Sequence, residues 1–200
     1  MKNRKHFISL KKVKIVQSAR KLIATEGMKN LTMRTLSKDL GLTEGALYRH
    51  FASKADIISL LIDDIEETLL SKIQLAAKKS EHVAVKLKSI FISHLTYAEQ
   101  RRGVTFILIN ETLNLRDKKL QRKMFRVITK YLNQIEVIIQ EGVRSGELKK
   151  SVNTSSAAIA FWGMVQSLIT LWALNNYKRS LLDKYRNSLF EIYINSLSAK

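Results

Sequence analysis

No proline occurs anywhere in these 200 residues, and only seven glycines do. A proline inside a helix removes a backbone donor and clashes with the preceding turn, at a cost of about 3 kcal/mol. A chain free of it can run long helices, and scarce glycine leaves few sharp turns. Apolar residues recur at i, i+3 and i+4, and no strand-like alternation of useful length appears. The expectation is an all-α fold of about nine helices, with three or four in a small N-terminal unit and the rest in a larger bundle.

Local signals place the helices. The first runs from about Lys11 to Glu26, with Ile15, Ala19, Leu22 and Ile23 at helical spacing and Gly27 closing it. Thr32 and Thr43 are N-cap residues for two short helices, "MRTLSKDL" and "EGALYRHF", separated by Gly41. Ser53 opens a long helix, with Asp56 three positions on as half of a capping box. After a break near Ser80, Ala84, Leu87, Phe91, Leu95 and Ala98 form a core-facing stripe that Gly103 ends. "VTFILINETLNL" and "LQRKMFRVITKYLNQIEVIIQEGV" follow, then an apolar helix capped by Asn153 or Thr154, and a final helix over roughly Ser180–Ser198. Domain boundaries are expected at 1–55 and 56–200, with 1–10 a flexible basic arm.

Charge narrows the function. The formal net charge is +18, and residues 1–60 hold 13 Lys and Arg against 4 Asp and Glu. Such an excess, concentrated in the first third, favours a polyanion partner there. Cysteine is absent, which excludes disulfides and thiolate chemistry. No phosphate loop, metal-spaced histidine cluster or nucleophile motif appears, so the expectation is no enzyme, no cofactor and no metal. The carboxylates Asp63, Asp64, Glu66 and Glu67 read as a solvated, ion-paired face. The start "MKNRKHFISLKKVK" has no apolar run and is no signal peptide. The apolar stretch 157–174 carries Gln166, Ser167 and Thr170, and reads as a buried or interface helix rather than a membrane span. A cytoplasmic, nucleoid-associated protein without a membrane partner is expected.

Two short helices joined by a glycine turn, with a first helix across them, make a helix-turn-helix unit. At 100° per residue, Leu47 and Phe51 point together into the core. Gly45 and Arg49 lie roughly opposite, with Ala46 and His50 on one flank and Tyr48 on the other. Gly45 and Ala46 keep the helix start slim, while Tyr48, Arg49 and His50 reach outward as donors. This is the inventory of a helix that enters the major groove by its N-terminal end. Lys54 adds a cation at the next helix start, a combination suited to a phosphate.

Residues 12–60 resemble the DNA-binding domain of TetR-family transcriptional regulators. The resemblance is carried by Ala19, Glu26-Gly27, Leu31-Thr32, Leu36, Leu40-Gly41-Leu42, Leu47-Tyr48, His50-Phe51 and Ser53-Lys54. Ser37 and Met28 depart from the usual alanine and aromatic. The resemblance implies phosphate contacts by Thr32, Tyr48 and Lys54, and a base-edge or backbone contact by Arg34. Thr43, Glu44, Gly45, Ala46, Arg49 and His50 would line the groove. Glu44 keeps two readings, an acceptor for cytosine N4 or an anion favoured at the helix N-terminus.

The same resemblance implies a homodimer built from the last two long helices, and a cavity for a small effector. Expected dimer contacts are Phe161, Gly163, Leu168, Trp172, Leu182, Tyr185 and Leu189. Expected cavity residues are Phe91, His94, Phe106, Asn110, Tyr131, Trp162 and Gln166. His94 also fits a satisfied core histidine. The leading expectation is a repressor released from a palindromic site on double-stranded DNA by an apolar or acyl-type effector. The alternative is a nucleoid-associated cell-division inhibitor of the same fold, without a small ligand.

Overall fold

The structure, a computed structural model, describes the backbone of residues 2–78 and 80–199, and the side chains of 12–78, 80–179 and 181–199. Among the described residues it is all-α: α1 (Lys2–Glu26), α2 (Met33–Asp39), α3 (Glu44–Tyr48), α4 (Lys54–Ala77), α5 (Val83–Gln100), α6 (Val104–Asn114), α7 (Lys118–Ser145), α8 (Thr154–Leu174) and α9 (Arg179–Leu197). A short 3-10 turn, Met28–Asn30, links α1 to α2. The first helix thus starts at Lys2 rather than Lys11. The stretch expected as a flexible arm is helical backbone, because nothing in "KNRKHFISLKK" breaks a helix.

The chain divides into two compact units, one running to Glu66 with Ile107–Met124, the other Glu67–Phe106 with Phe125–Lys200. This division assigns parts of α4, α6 and α7 to each unit.

In the first unit the turn residues do what their chemistry allows. Gly27 and Gly41 sit at φ +84° and +65°, where a side chain would be strained. The Thr32 hydroxyl accepts from the Thr35 amide at 3.0 Å, and the Thr35 hydroxyl accepts from the Thr32 amide at 3.0 Å. This reciprocal cap fixes the entry to α2 with threonine in place of the usual Glu or Gln. The Thr43 hydroxyl accepts from the Ala46 amide and starts α3. Ala19, Ile23, Leu31, Leu36, Leu47, Ile57 and Ile58 are buried, and α2 packs on both α1 and α3. Asp39 ties α2 to α1 by accepting from the Ser18 hydroxyl at 2.6 Å and the Lys21 ammonium at 2.7 Å. Those two bonds, the lysine's first, hold the Asp39 carboxyl below the ordinary carboxylate range. In the acidic run Asp63 pairs with Lys123 at 2.7 Å and Asp64 with Arg20 at 3.4 Å.

In the second unit α5, α8 and α9 pack pairwise. Their shared core is aromatic: Phe91 meets Phe161 edge-on at 6.1 Å and Phe190 at 5.8 Å, and Phe161 meets Tyr193 at 5.6 Å. The Tyr193 hydroxyl donates to the Ala157 carbonyl, so its polar end is satisfied inside. His82, at the start of α5, makes no capping bond of its own. Glu147 supplies the cap from a distance, accepting from the Val83 amide at 2.9 Å. Gly142 on α7 allows Leu148 to approach closely, since a Cβ there would lie 2.8 Å from that side chain. The Lys149 amide then donates to the Leu197 carbonyl and the Ala199 amide to the Glu147 carbonyl, which fastens the α7–α8 loop to the end of α9.

Candidate nucleic-acid interface

Thr43, Glu44, Gly45, Tyr48, Arg49 and His50 are all exposed, as are Thr32 and Arg34 on the preceding helix. Leu47 is 1% exposed and anchors α3, while Phe51 is half-buried beside it. The helix proper ends at Tyr48, earlier than expected, yet Arg49, His50 and Phe51 still donate their amides to Gly45, Leu47 and Leu47. The outward fan of Tyr48, Arg49 and His50 is therefore set by backbone geometry. Ala46 is half-buried and Gly45 meets no heavy atom where a Cβ would stand. The start of α3 is consequently narrow enough for close approach to a groove floor.

Electrostatics agree with this placement. Glu44 occupies the first helical position of α3, where an anion is favoured. Lys29 and Lys38 are exposed cations on the neighbouring turn and helix that the motif alone did not single out. Lys54 behaves differently from expectation. Its ammonium donates to the Met28 carbonyl at 2.9 Å and lies 3.6 Å from the Glu111 carboxylate. It is half-buried, so part of its role is to tie the 3-10 turn to α4. Buried Ser37 is satisfied by donating to the Arg34 carbonyl, which explains why a serine is tolerated there.

In the second unit the expected cavity residues differ in burial. Phe91, His94 and Tyr131 are core: His94 Nδ1 and the Tyr131 hydroxyl are 3.1 Å apart, with the rings edge-on at 5.2 Å. Burial pushes the His94 pKa down to about 4, so the ring is neutral, and pushes the Tyr131 hydroxyl well above its ordinary value. Phe106, Trp162 and Gln166 are half-buried, and Asn110 is exposed in the other unit. A cavity of about 450 Å³ lies between α4, α5 and α7, lined by Ile73, Ala77, Lys86, Gln134, Val137 and Ile138 among others. α7 contributes Asn133, Gln134, Val137, Ile138 and Glu141 to it, α4 Ile73, Gln74 and Ala77, and α5 Lys86, so its walls come together only when the three helices pack.

The expected dimer residues also split by face. Phe161, Leu168, Trp172 and Leu182 are buried within the chain, Leu189 is half-buried, and Gly163 and Tyr185 are exposed. The expected set thus combines the inward stripe of α8 with its outward one. The outward stripe is Ile159, Gly163, Ser167, Leu171 and Leu174, with Ile159 56% and Leu174 77% exposed. On α9, Tyr185 and Ile192 are likewise exposed. By length and composition alone α8 would suit a membrane span, but its other face is packed on α5 and α9.

Residues 15–61 match the family model described as bacterial regulatory proteins, tetR family, and residues 63–196 match the C-terminal region of YsiA-like proteins. The nucleoid occlusion factor SlmA of Salmonella newport is 31% identical over 66% of this chain and 68% of that protein. The fatty acid metabolism regulator protein of Bacillus subtilis is 23% identical over 86% of this chain and 88% of that protein. Among solved structures, the transcriptional regulator FadR of Bacillus subtilis in complex with stearoyl-CoA superposes with a TM-score of 0.78. It is 24% identical and covers 91% of this chain and 97% of its own.

Proposed function

Since the chain belongs to the TetR family of bacterial DNA-binding regulators, we propose that it is a homodimeric repressor whose hold on a palindromic operator is released by an acyl-type effector. The observation that carries the DNA reading is the exposed set Thr32, Arg34, Tyr48, Arg49 and His50 around the slim start of α3. In this reading Thr32 and Tyr48 hold phosphates, and Arg34, Arg49 and His50 reach base edges. Lys54 supports the motif from within and lends its charge to the backbone contact. Glu44 favours the start of α3 and stays clear of phosphate.

Dimerisation follows from the outward faces of α8 and α9, whose exposed apolar side chains are best covered by the same faces of a second copy. Such a dimer reads two half-sites about 34–36 Å apart. An effector that prefers another spacing releases the DNA, and full reversal of occupancy requires about 5.5 kcal/mol of differential affinity. The acyl assignment is supported by the mainly apolar cavity and by the stearoyl-CoA held by the Bacillus subtilis FadR structure. A gel shift on an operator selected from random DNA tests it. Long-chain acyl thioesters should release the DNA at concentrations where matched short-chain anions do not; equal effects of both would remove the acyl assignment.

A second reading rests on the SlmA relatives. In it the DNA-bound protein restrains a cell-division protein, with no small ligand. Co-sedimentation with division-protein filaments separates the two: DNA-dependent pelleting supports this reading, and none counts it out.

A further inference from the structure

The Lys54 ammonium does not stand open to a phosphate. One of its three N–H donors goes to the Met28 carbonyl at 2.9 Å, and the Glu111 carboxylate lies 3.6 Å away. Glu111 belongs to α6, outside the two short helices, yet both residues lie in the first compact unit. The two side chains are 31% and 18% exposed, so their attraction is screened less than that of a surface pair. Their separation exceeds the roughly 2.7–2.9 Å of a tight charge-assisted bond, so charge draws them together without locking them. Among the described residues the Glu111 carboxylate meets no second cation. The nearby acids are taken elsewhere: Asp56 accepts from the Ala52 and Ser53 amides, and Asp39 from Ser18 and Lys21.

Resting on the reading of Lys54 as a backbone contact, we infer that Glu111 competes with DNA phosphate for the Lys54 ammonium and so sets the strength of that contact. A phosphate at Lys54 shares the ammonium with a second anion, and each weakens the hold of the other. Drawing the ammonium toward DNA also leaves a largely buried carboxylate without its partner, which costs free energy. Because the contact is to the backbone, the restraint lowers the hold on every sequence alike. A chain of net charge +18 is drawn to any DNA, and Glu111 offsets part of that pull.

Fluorescence anisotropy of the full chain on two duplexes tests this, one an operator selected from random DNA and one of unrelated sequence. Glu111→Gln keeps the shape of the side chain and removes its charge, and should bind both duplexes about threefold more tightly than the native protein. Lys54→Ala should weaken both, and Glu111→Gln added to it should change neither. Unchanged or weaker binding by Glu111→Gln, a gain confined to the operator, or a gain that survives in Lys54→Ala would overturn the inference. If Lys54→Ala weakens binding while Glu111→Gln brings no gain, the backbone reading of Lys54 stands and the competition falls. If Lys54→Ala binds as the native protein does, that reading falls and the competition with it.

Discussion

Tyr48, Arg49 and His50 are consecutive, yet the backbone turns them to different parts of a groove, so their substitutions should separate. Tyr48→Phe removes a phosphate contact and should weaken all sequences alike. Arg49→Ala and His50→Ala should relax base preference at particular positions, by about 1–3 kcal/mol for a bidentate contact. Binding selection on each variant measures both effects, and unchanged preference in Arg49→Ala would strike it from the readers. His94 makes a prediction about pH. Its pKa in the fold is about 4, below the ordinary 6.5, because burial disfavours the charged ring. A depressed pKa contributes stability that is fully present above pH 6.5 and is lost as pH falls toward 4, about 3 kcal/mol in all. Urea midpoints of the native protein should therefore drop between pH 7 and 5, and those of His94→Gln should drop less.

At the level of elements, caps and close approaches carry the testable weight. Thr43→Ala removes the α3 cap bond and should cost about 1 kcal/mol, read by urea denaturation. Gly142→Ala forces Leu148 away from a 2.8 Å contact and should destabilise the α7–α8 corner more than Gly163→Ala, which meets nothing. These elements also show what a sequence can and cannot reveal. The caps at Thr32, Thr43 and Asn153, the turn glycines and the anchor Leu47 were legible because each rests on chemistry within a few residues. The cap on Val83 was not legible, since Glu147 lies 64 residues away. The same holds for the cavity, which three helices share. Reading α8 as one apolar helix hid its two stripes, because a helix apolar all round has no preferred face until its neighbours are known. Lys54 was read by position, whereas a carbonyl and a carboxylate distant in sequence decide where its ammonium points.

For the whole molecule, the net charge of +18 implies steep salt dependence of DNA binding, with a slope of about −0.9 for each phosphate neutralised. Lys54→Ala, which removes the charge lent to the backbone contact, should flatten that slope by about one. The exposed apolar faces of α8 and α9 imply that Leu174→Glu with Ile192→Glu yields a folded monomer, with helical circular dichroism retained and sedimentation halved in mass. Operator affinity should fall with it, because one half-site alone loses the second set of contacts. The central claim, sequence-specific DNA reading by a symmetric dimer through α3, is tested most directly by selecting bound DNA from a random pool. A symmetric dimer should select a palindromic consensus with half-site centres one helical turn or a multiple of it apart. Enrichment of no consensus, or of one without two-fold symmetry, would contradict it.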